Sequence, residues 1–312
     1  MTKVLTMTLN PAIDKTLTLS TFEVGGLNRL TTQPHIDPGG KGINVAKVLN
    51  HLNTPVTTTG FMAGQTGKKM MNELQSLGIK TSFQDVDGEV RTNLKIVDQE
   101  TQQTTEINEP GFVVGEEDLE GLNLILDQLL DQTEVMILAG STPKGVSDHI
   151  YKEYIEKAKA KGVRTILDVS GNALKEGLKA KPFAIKPNIH ELEDLFSRQF
   201  NNRDEIVEAC EQLVKEGIEL VVVSLGGDGA LFVSEDEVYQ VAPFDITPKS
   251  TVGAGDSMVG AMVYSLLNSY SLEDLAKWST TAGTITASKA GTSVCTLSEI
   301  EEYVDQVKVR KI

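Results

Sequence analysis

Histidine, cysteine and positive charge are all in short supply in this 312-residue chain. The two cysteines, Cys210 and Cys295, lie far apart, with no Cys-x-x-Cys and no metal-like spacing. Four scattered histidines (His35, His51, His149, His190) add no zinc pattern. Lys and Arg number 29 against 44 Asp and Glu, a formal net charge of −15, which argues against a nucleic-acid partner and against an anionic membrane surface. No apolar run approaches membrane-spanning length. The first apolar run stops at Asn10-Pro11, too short for the apolar region of a signal peptide, so a soluble, cytoplasmic protein is expected. There is no G-x-x-x-x-G-K-[ST] loop, no G-x-G-x-x-G fingerprint and no protein-kinase motif. A nucleotide site, if the chain has one, must be of another type.

What is present is a core and a rhythm. Apolar residues make up 40% of the chain, ample for one large α/β domain. Residues 3–9 read as a strand. A helix follows Pro38-Gly39-Gly40-Lys41-Gly42, then a strand at 56–61 and a helix at 68–77. From about residue 116 helices and apolar strands alternate: helix 116–130, strand 135–139, helix 147–161, strand 165–169, helix 172–178, strand 183–185, helix 203–216 and strand 220–224. Helices at 254–268, 272–288 and 297–308 close the chain. Near-continuous runs such as Val221-Val222-Val223 fit parallel strands covered on both faces, hence a doubly wound, mostly parallel sheet. Two β-rich stretches break the rhythm, 16–36 and 81–108, and together predict a small separate sheet over a site. The expectation is a single domain, 1–312, with a discontinuous β lid from about 12–37 and 82–108.

In such sheets ligands sit beyond the carboxyl ends of the strands. The polar and glycine-rich spots converge there: Asn10 to Asp14, Gly140-Ser141, Asp168, Lys186 to Glu191, Ser224 to Gly229, and Ser250 to Met258. The last, STVGAGDSM, has a glycine-rich turn opening a helix, which aims free N–H groups and a positive dipole end at one point. Asp256 at its rim repels a phosphate but suits a base that takes a proton from a hydroxyl attacking that phosphate. The plainer alternative is a helix cap. Asn188 and Glu191, three apart, could share a helix face and hold hydrated Mg²⁺, or could form a capping box. Lys41 at a helix start could meet a phosphate or be a solvated first turn. Arg29 and Arg91 fall in the expected lid strands and matter if the lid closes over an anion.

Taken in order, TLNPAID (8–14), PGGKGINVAKVL (38–49), VRTNLK (90–95), LAGSTP (138–143), LDVSG (167–171), KPNIHE (186–191), VVSLGGDGAL (222–231) and STVGAGDSMVG (250–260) resemble the ribokinase-like carbohydrate kinase family, and closely its phosphosugar branch. The 1-phosphofructokinases look nearest, with tagatose-6-phosphate kinases and the minor 6-phosphofructokinases close behind. The resemblance implies Asp256 as base and the backbone of 253–256 (Gly253, Ala254, Gly255 and Asp256) as the anion hole for the transferring phosphoryl group. Asp14, Gly39, Gly40, Lys41 and Asn44 would hold the sugar, with Arg29, Arg91 and Ser141 near its phosphate. Lys186, Asn188 and Glu191 would serve ATP and Mg²⁺ with Asp168 nearby, and Ser224, Gly226 and Gly229 would line the nucleotide site. A sugar phosphate is the implied partner, and the lid is implied to double as a homodimer interface. Ser250 stands where the family commonly has Asp, which puts its monovalent-cation site in doubt, and Thr142 replaces a usual leucine.

The expected reaction is transfer of phosphate from ATP to a ketohexose monophosphate, fructose 1-phosphate first and tagatose 6-phosphate next. A sugar-phosphate-binding regulator that has lost catalysis and a nicotinamide-dependent oxidoreductase are the readings from other classes. The intact Asp256 speaks against the first and the missing fingerprint against the second.

Overall fold

The computed structural model describes residues 3–101 and 103–312. The chain runs β1 (Val4–Thr8), β2 (Ala12–Leu19), β3 (His35–Gly39), α1 (Lys41–His51), β4 (Val56–Ala63), α2 (Gly64–Ser76), β5 (Lys80–Val86), β6 (Arg91–Asp98) and β7 (Thr104–Asn108). Next come α3 (Glu116–Leu130), β8 (Val135–Ala139), α4 (Ile150–Ala160), β9 (Arg164–Asp168), α5 (Gly171–Leu178), β10 (Ala184–Ile185), α6 (Ile189–Phe196), α7 (Arg203–Lys215) and β11 (Leu220–Ser224). The last part is β12 (Ala230–Val233), β13 (Val238–Ala242), α8 (Ala254–Leu267), α9 (Leu272–Ala287), α10 (Leu297–Tyr303) and β14 (Lys308–Lys311).

Ten strands form one sheet in the order β14-β13-β12-β11-β10-β9-β8-β1-β4-β5. From β11 to β5 every pairing is parallel, and the β12–β13–β14 side is antiparallel. The inner strands β1, β4 and β8 are buried at every position, which is why they read as apolar runs without alternation. A second sheet, β3-β2-β6-β7, stands apart. Within it β2 and β6 are parallel, while β3 and β7 run antiparallel to their neighbours. The fold is thus mixed α/β, a large mostly parallel sheet with a smaller separate one.

Helix α8 is the buried spine. Its residues from Asp256 to Val263 are all buried, and it packs between α1 and α9. Gly260 permits the close crossing, because a methyl there would stand 2.5 Å from Val48 Cγ1 on α1. That crossing holds α1 against α8, and the first turns of the two helices carry the candidate residues Lys41, Asn44 and Asp256.

Three expectations need correction. β5 pairs with β4 at the edge of the main sheet, so 82–86 does not belong to the lid. Its central residues are only partly buried, and half-covered edge strands carry the polar alternation that a lid strand would. The strand expected over 30–36 forms at His35–Gly39 instead, with Leu30 making a single bridge to Leu19. Arg29 therefore lies in the exposed loop before it, and not in a strand. The closing helix stops at Tyr303, and Lys308–Lys311 adds an edge strand against β13.

Candidate active site

Strands β1, β8, β9, β10 and β11 are paired nearly in step, Thr8 opposite Ala139, Ala139 opposite Asp168, and Leu167 opposite Ile185. Their carboxyl ends therefore discharge the chain at one rim. Asp168 ends β9 and Lys186 follows β10. Lys41 opens α1 directly after Gly40, whose φ of 111° turns the chain into the helix.

These groups form one charge network. Lys41 Nζ donates to Asp168 Oδ1 at 2.8 Å and lies 4.0 Å from Glu191 Oε1. Lys186 Nζ is 3.3 Å from Asp168 Oδ2, near enough for charge attraction but poorly aligned for a hydrogen bond. Burial opposes the charge on Asp168, yet Lys186 and Lys41 outweigh it and hold the carboxyl below the usual range. Burial likewise opposes the Lys41 ammonium, and Asp168 and Glu191 outweigh it, so its pKa is raised.

Asp256 sits beside this network and differs from it. It lies in the first turn of α8, buried, and its Oδ2 accepts from Asn44 Nδ2 at 2.8 Å. Burial first, and the charge of Asp168 second, push its pKa up to about 6, against the pull of Lys41, Asn44 and Lys186. The carboxyl is therefore held near the point where it exchanges a proton at physiological pH. It does not act as the N-cap: that residue is Gly253, in the left-handed region at φ 77°. The N–H groups of Gly253, Gly255 and Asp256 find no acceptor among the described residues, as expected for a helix start left open to an anion, whereas that of Ala254, expected in the anion hole, donates to the Thr251 carbonyl at 3.3 Å because the turn before the helix closes on it. A methyl on Gly255 would stand 3.1 Å from Lys186 Nζ, so the ammonium lies over the same turn.

A second group of polar residues lies under the smaller sheet. Asp14 on β2 is buried against Gly39, where a Cβ would meet its Cγ at 2.6 Å. Arg91 opens β6 and donates to the Asn10 carbonyl at 3.3 Å and the Glu109 carbonyl at 3.2 Å. Asn10 Nδ2 in turn lies 3.4 Å from Ser141 Oγ, which brings Arg91, Asn10 and Ser141 to one corner. Arg29 is not brought there. It is exposed and has no hydrogen bond or ion pair among the described residues.

On the other flank, Asn188 and Glu191 do form the capping box of α6. Glu191 N donates to Asn188 Oδ1 and Asn188 N donates to Glu191 Oε2, both at 2.9 Å. Only Glu191 Oε1 remains turned toward Lys41. Asn188 bridges to Ser224 at the end of β11, and the loop beyond it leaves Gly226 and Gly227 with no neighbour where a Cβ would go. Gly229 has a packing reason of its own, since a Cβ would meet the Val241 carbonyl oxygen at 1.9 Å.

For magnesium, the fit is that of an ion carried by phosphates. Among the described residues no group of three or more His, Cys, Asp or Glu gathers as a metal cage. Glu191 Oε1 and the poorly bonded Asp168 Oδ2 offer hard oxygens at the rim. Mg²⁺ prefers such a setting, keeping waters and phosphate oxygens with one or two carboxylates.

Sequence reasoning passed over Lys95 and Asn93. Lys95 is nearly buried at 6% exposure on β6, with its Nζ 3.4 Å from Asp14 Oδ2, and Asn93 Nδ2 donates to Asp14 Oδ1 at 3.0 Å. The signal was available: Arg91, Asn93 and Lys95 alternate along a strand, so all three share one face.

As assembled, the rim offers a buried carboxylate near pKa 6, an open helix start and two lysines, with polar groups facing them from the smaller sheet. This is equipment for positioning two anionic reactants and removing a proton.

Comparison with known proteins agrees. Residues 7–299 match the model of the pfkB family carbohydrate kinases. A 1-phosphofructokinase of Borreliella burgdorferi is 35% identical over 98% of both chains. One of Bacillus subtilis is 34% identical over 98% of this chain and 99% of that one. The crystal structure of phosphofructokinase-2 from Escherichia coli in complex with substrates and products superposes with a TM-score of 0.92 at 31% identity, over 97% of this chain and 99% of that one. The chain belongs to the pfkB family of carbohydrate kinases.

Proposed function

We propose that this kinase transfers the γ-phosphoryl group of ATP to the free primary hydroxyl of a ketohexose monophosphate, fructose 1-phosphate above all, giving fructose 1,6-bisphosphate. The observation that carries the reading is Asp256: a buried carboxylate with pKa near 6, hydrogen-bonded by Asn44, at a helix start where the N–H groups of Gly253, Gly255 and Asp256 have no acceptor among the described residues. The relatives named 1-phosphofructokinase supply the choice of sugar.

In this reading the acceptor lies between Asp14, Gly39, Gly40 and Asn44, with its own phosphate toward Arg91 and Ser141. Asp256 takes the proton of the attacking hydroxyl. The N–H groups of Gly253, Gly255 and Asp256, with Lys186 above them, receive the charge on the moving phosphoryl oxygens. Lys41 and Lys186 answer the repulsion that a net charge of −15 would otherwise exert on two phosphorylated reactants. Mg²⁺, held by the ATP phosphates with Glu191 and Asp168 at hand, would neutralise charge between those phosphates. Ser224 and the open Gly226-Gly227 loop would receive the nucleotide.

The lid also supports a homodimer. Val24 and Leu27 are 87% and 75% exposed, and Ile36 and Ile107 lie on its strands with more than half their surface open. A second copy of the sheet would cover them.

A turnover panel with fructose 1-phosphate, fructose 6-phosphate and tagatose 6-phosphate, each coupled to ADP release, tests the reading. Highest kcat/KM on fructose 1-phosphate supports it. A preference for either 6-phosphate reassigns the sugar, and no phosphorylated product from any of the three ends it.

A further inference from the structure

The face of the lid that holds Asp14 also carries a lysine whose burial has no structural explanation. In register, Asp14 stands opposite Asn93 on β6 and Asp37 on β3, and Thr16 opposite Lys95 and His35. Lys95 reaches back along the sheet, and its ammonium has a single partner among the described residues, Asp14 Oδ2 at 3.4 Å. Three N–H donors thus share one acceptor. The neighbouring residues of β6, Leu94 and Ile96, lie on the other face of the sheet, so on β6 the lysine shares its face with Arg91 and Asn93 on one side and Val97 on the other.

For stability this is an unfavourable choice. Removing an ammonium and a carboxylate from water costs several kcal/mol for each ion, and an apolar pair of similar volume commonly serves as well or better. The other lysine near Asp14, Lys47, is committed to the Pro38 carbonyl. Asn93 holds Asp14 Oδ1 and Lys95 faces Oδ2, so both carboxylate oxygens are aimed by β6 while Asp14 itself belongs to β2. Asp14 also lies directly against Gly39, at the mouth of the chain leading into α1.

We propose that Lys95 is a positioning residue for the acceptor sugar: acting through Asp14, it fixes the direction of the carboxylate that receives the sugar hydroxyls. This rests on the reading of Asp14 as a sugar ligand. Lys95 then sharpens sugar binding without touching the nucleotide or the transferred group, and its effect exists only while Asp14 can carry a charge.

The experiment is a double-mutant cycle with Lys95→Met, Lys95→Arg and Asp14→Asn, read by calorimetric Kd for fructose 1-phosphate, by KM for each substrate, and by Tm. Lys95→Met is expected to weaken sugar-phosphate binding ~tenfold or more, the scale of a lost charged contact, with the ATP KM unchanged. Lys95→Arg should recover most of that loss. Added to Asp14→Asn, Lys95→Met should cost less than ~twofold further, because coupled residues do not add. A full additional loss on the Asp14→Asn background overturns the proposal in favour of direct, independent contact. So does an unchanged sugar-phosphate KM in Lys95→Met, or an equal rise in both KM values with a lower Tm, which marks a merely structural lysine. If the unaltered protein binds no sugar phosphate, the Asp14 reading falls and takes this proposal with it. Loss in Asp14→Asn without loss in Lys95→Met removes the proposal alone.

Discussion

The two halves of the site are built to different standards. Around Asp168 the main sheet, α1 and α8 set charge against charge: Lys41 and Lys186 face Asp168, Lys41 also lies 4.0 Å from Glu191, and Asn44 holds Asp256. Under the smaller sheet, buried polar atoms are left over: Arg91 Nε, Asn93 Oδ1 and Asn10 Oδ1 have no partner among the described residues. A buried polar group without a partner costs about 1–3 kcal/mol, so folding alone does not account for the second half. Around Asp256 and Asp168 the fold pairs the charges and leaves open Asp168 Oδ2 and the N–H groups of Gly253, Gly255 and Asp256. Under the smaller sheet it leaves the side chains themselves short of partners, as a face that binds a polar ligand would.

The largest expected effect tests the charge-paired half. Asp256→Asn keeps shape and removes the proton acceptor, and kcat should fall by roughly 10²–10⁴ with sugar and ATP KM little changed. With pKa near 6, wild-type kcat/KM should decline as pH drops below about 6, and this inflection should vanish in the variant. The stability sign is opposite. Asp256 is raised from 3.8 to about 6, so it favours the folded state when protonated, and that contribution is lost as pH rises through about 6. At pH 8 the Asn variant should therefore melt higher than wild type. Near wild-type kcat together with an unshifted melting point would make Asp256 an ordinary first-turn residue.

Next is the keystone of that half. Asp168→Asn leaves Lys41 and Lys186 facing each other across a neutral amide. Loss of one partner from a buried ion pair costs about 3–5 kcal/mol, and the lower end applies here because Lys41 keeps 37% of its side chain exposed. Urea denaturation measures it. A change below ~1 kcal/mol would mean that the corner is not held together by its charges.

Much of this contrast was legible in the sequence, and the exceptions have physical reasons. Glycines before a helix, an Asp in the first turn and apolar strands ending in Asp168 or Lys186 announce themselves, because backbone turns and charged residues at strand ends are local features. Pairing partners are not local. β5 alternates like a lid strand yet joins β4, since an edge strand and a lid strand are both half covered. Lys95 reads as a solvated residue until β2 is laid beside β6. Arg29 and Arg91 look equivalent as a pair, but Arg29 falls in an open loop and Arg91 in a strand against Asn10.

That last difference gives the third test, on the half under the smaller sheet. Arg91 offers a guanidinium with Nε unpaired, next to Asn10 and Ser141. Lysine cannot reproduce its fork, so Arg91→Lys should raise the sugar-phosphate KM roughly ten- to a hundredfold while ATP KM holds. It should also narrow the preference over unphosphorylated fructose. Arg29→Lys should do much less. Equal effects of the two would erase the distinction between them, and no effect of either would move the phosphate to Lys41.

The smallest expected effect lies on the flank proposed to receive the nucleotide. Glu191 has two tasks on separate oxygens: Oε2 accepts from Asn188 N in the capping box, and Oε1 faces Lys41 4.0 Å away. Glutamine keeps an oxygen for the cap and removes the charge, whereas alanine removes both. Glu191→Gln should therefore leave Tm nearly unchanged and weaken the apparent Mg²⁺ affinity a few-fold, since a single carboxylate is at most one of several ligands to a largely hydrated ion. Glu191→Ala should add a stability loss of about 1 kcal/mol for the broken cap. The readouts are initial rates titrated with Mg²⁺ at saturating sugar phosphate and thermal melts of both variants. If both lower Tm equally and neither shifts the Mg²⁺ titration, Glu191 is a cap alone, and Asp168 with the ATP phosphates would have to hold the ion.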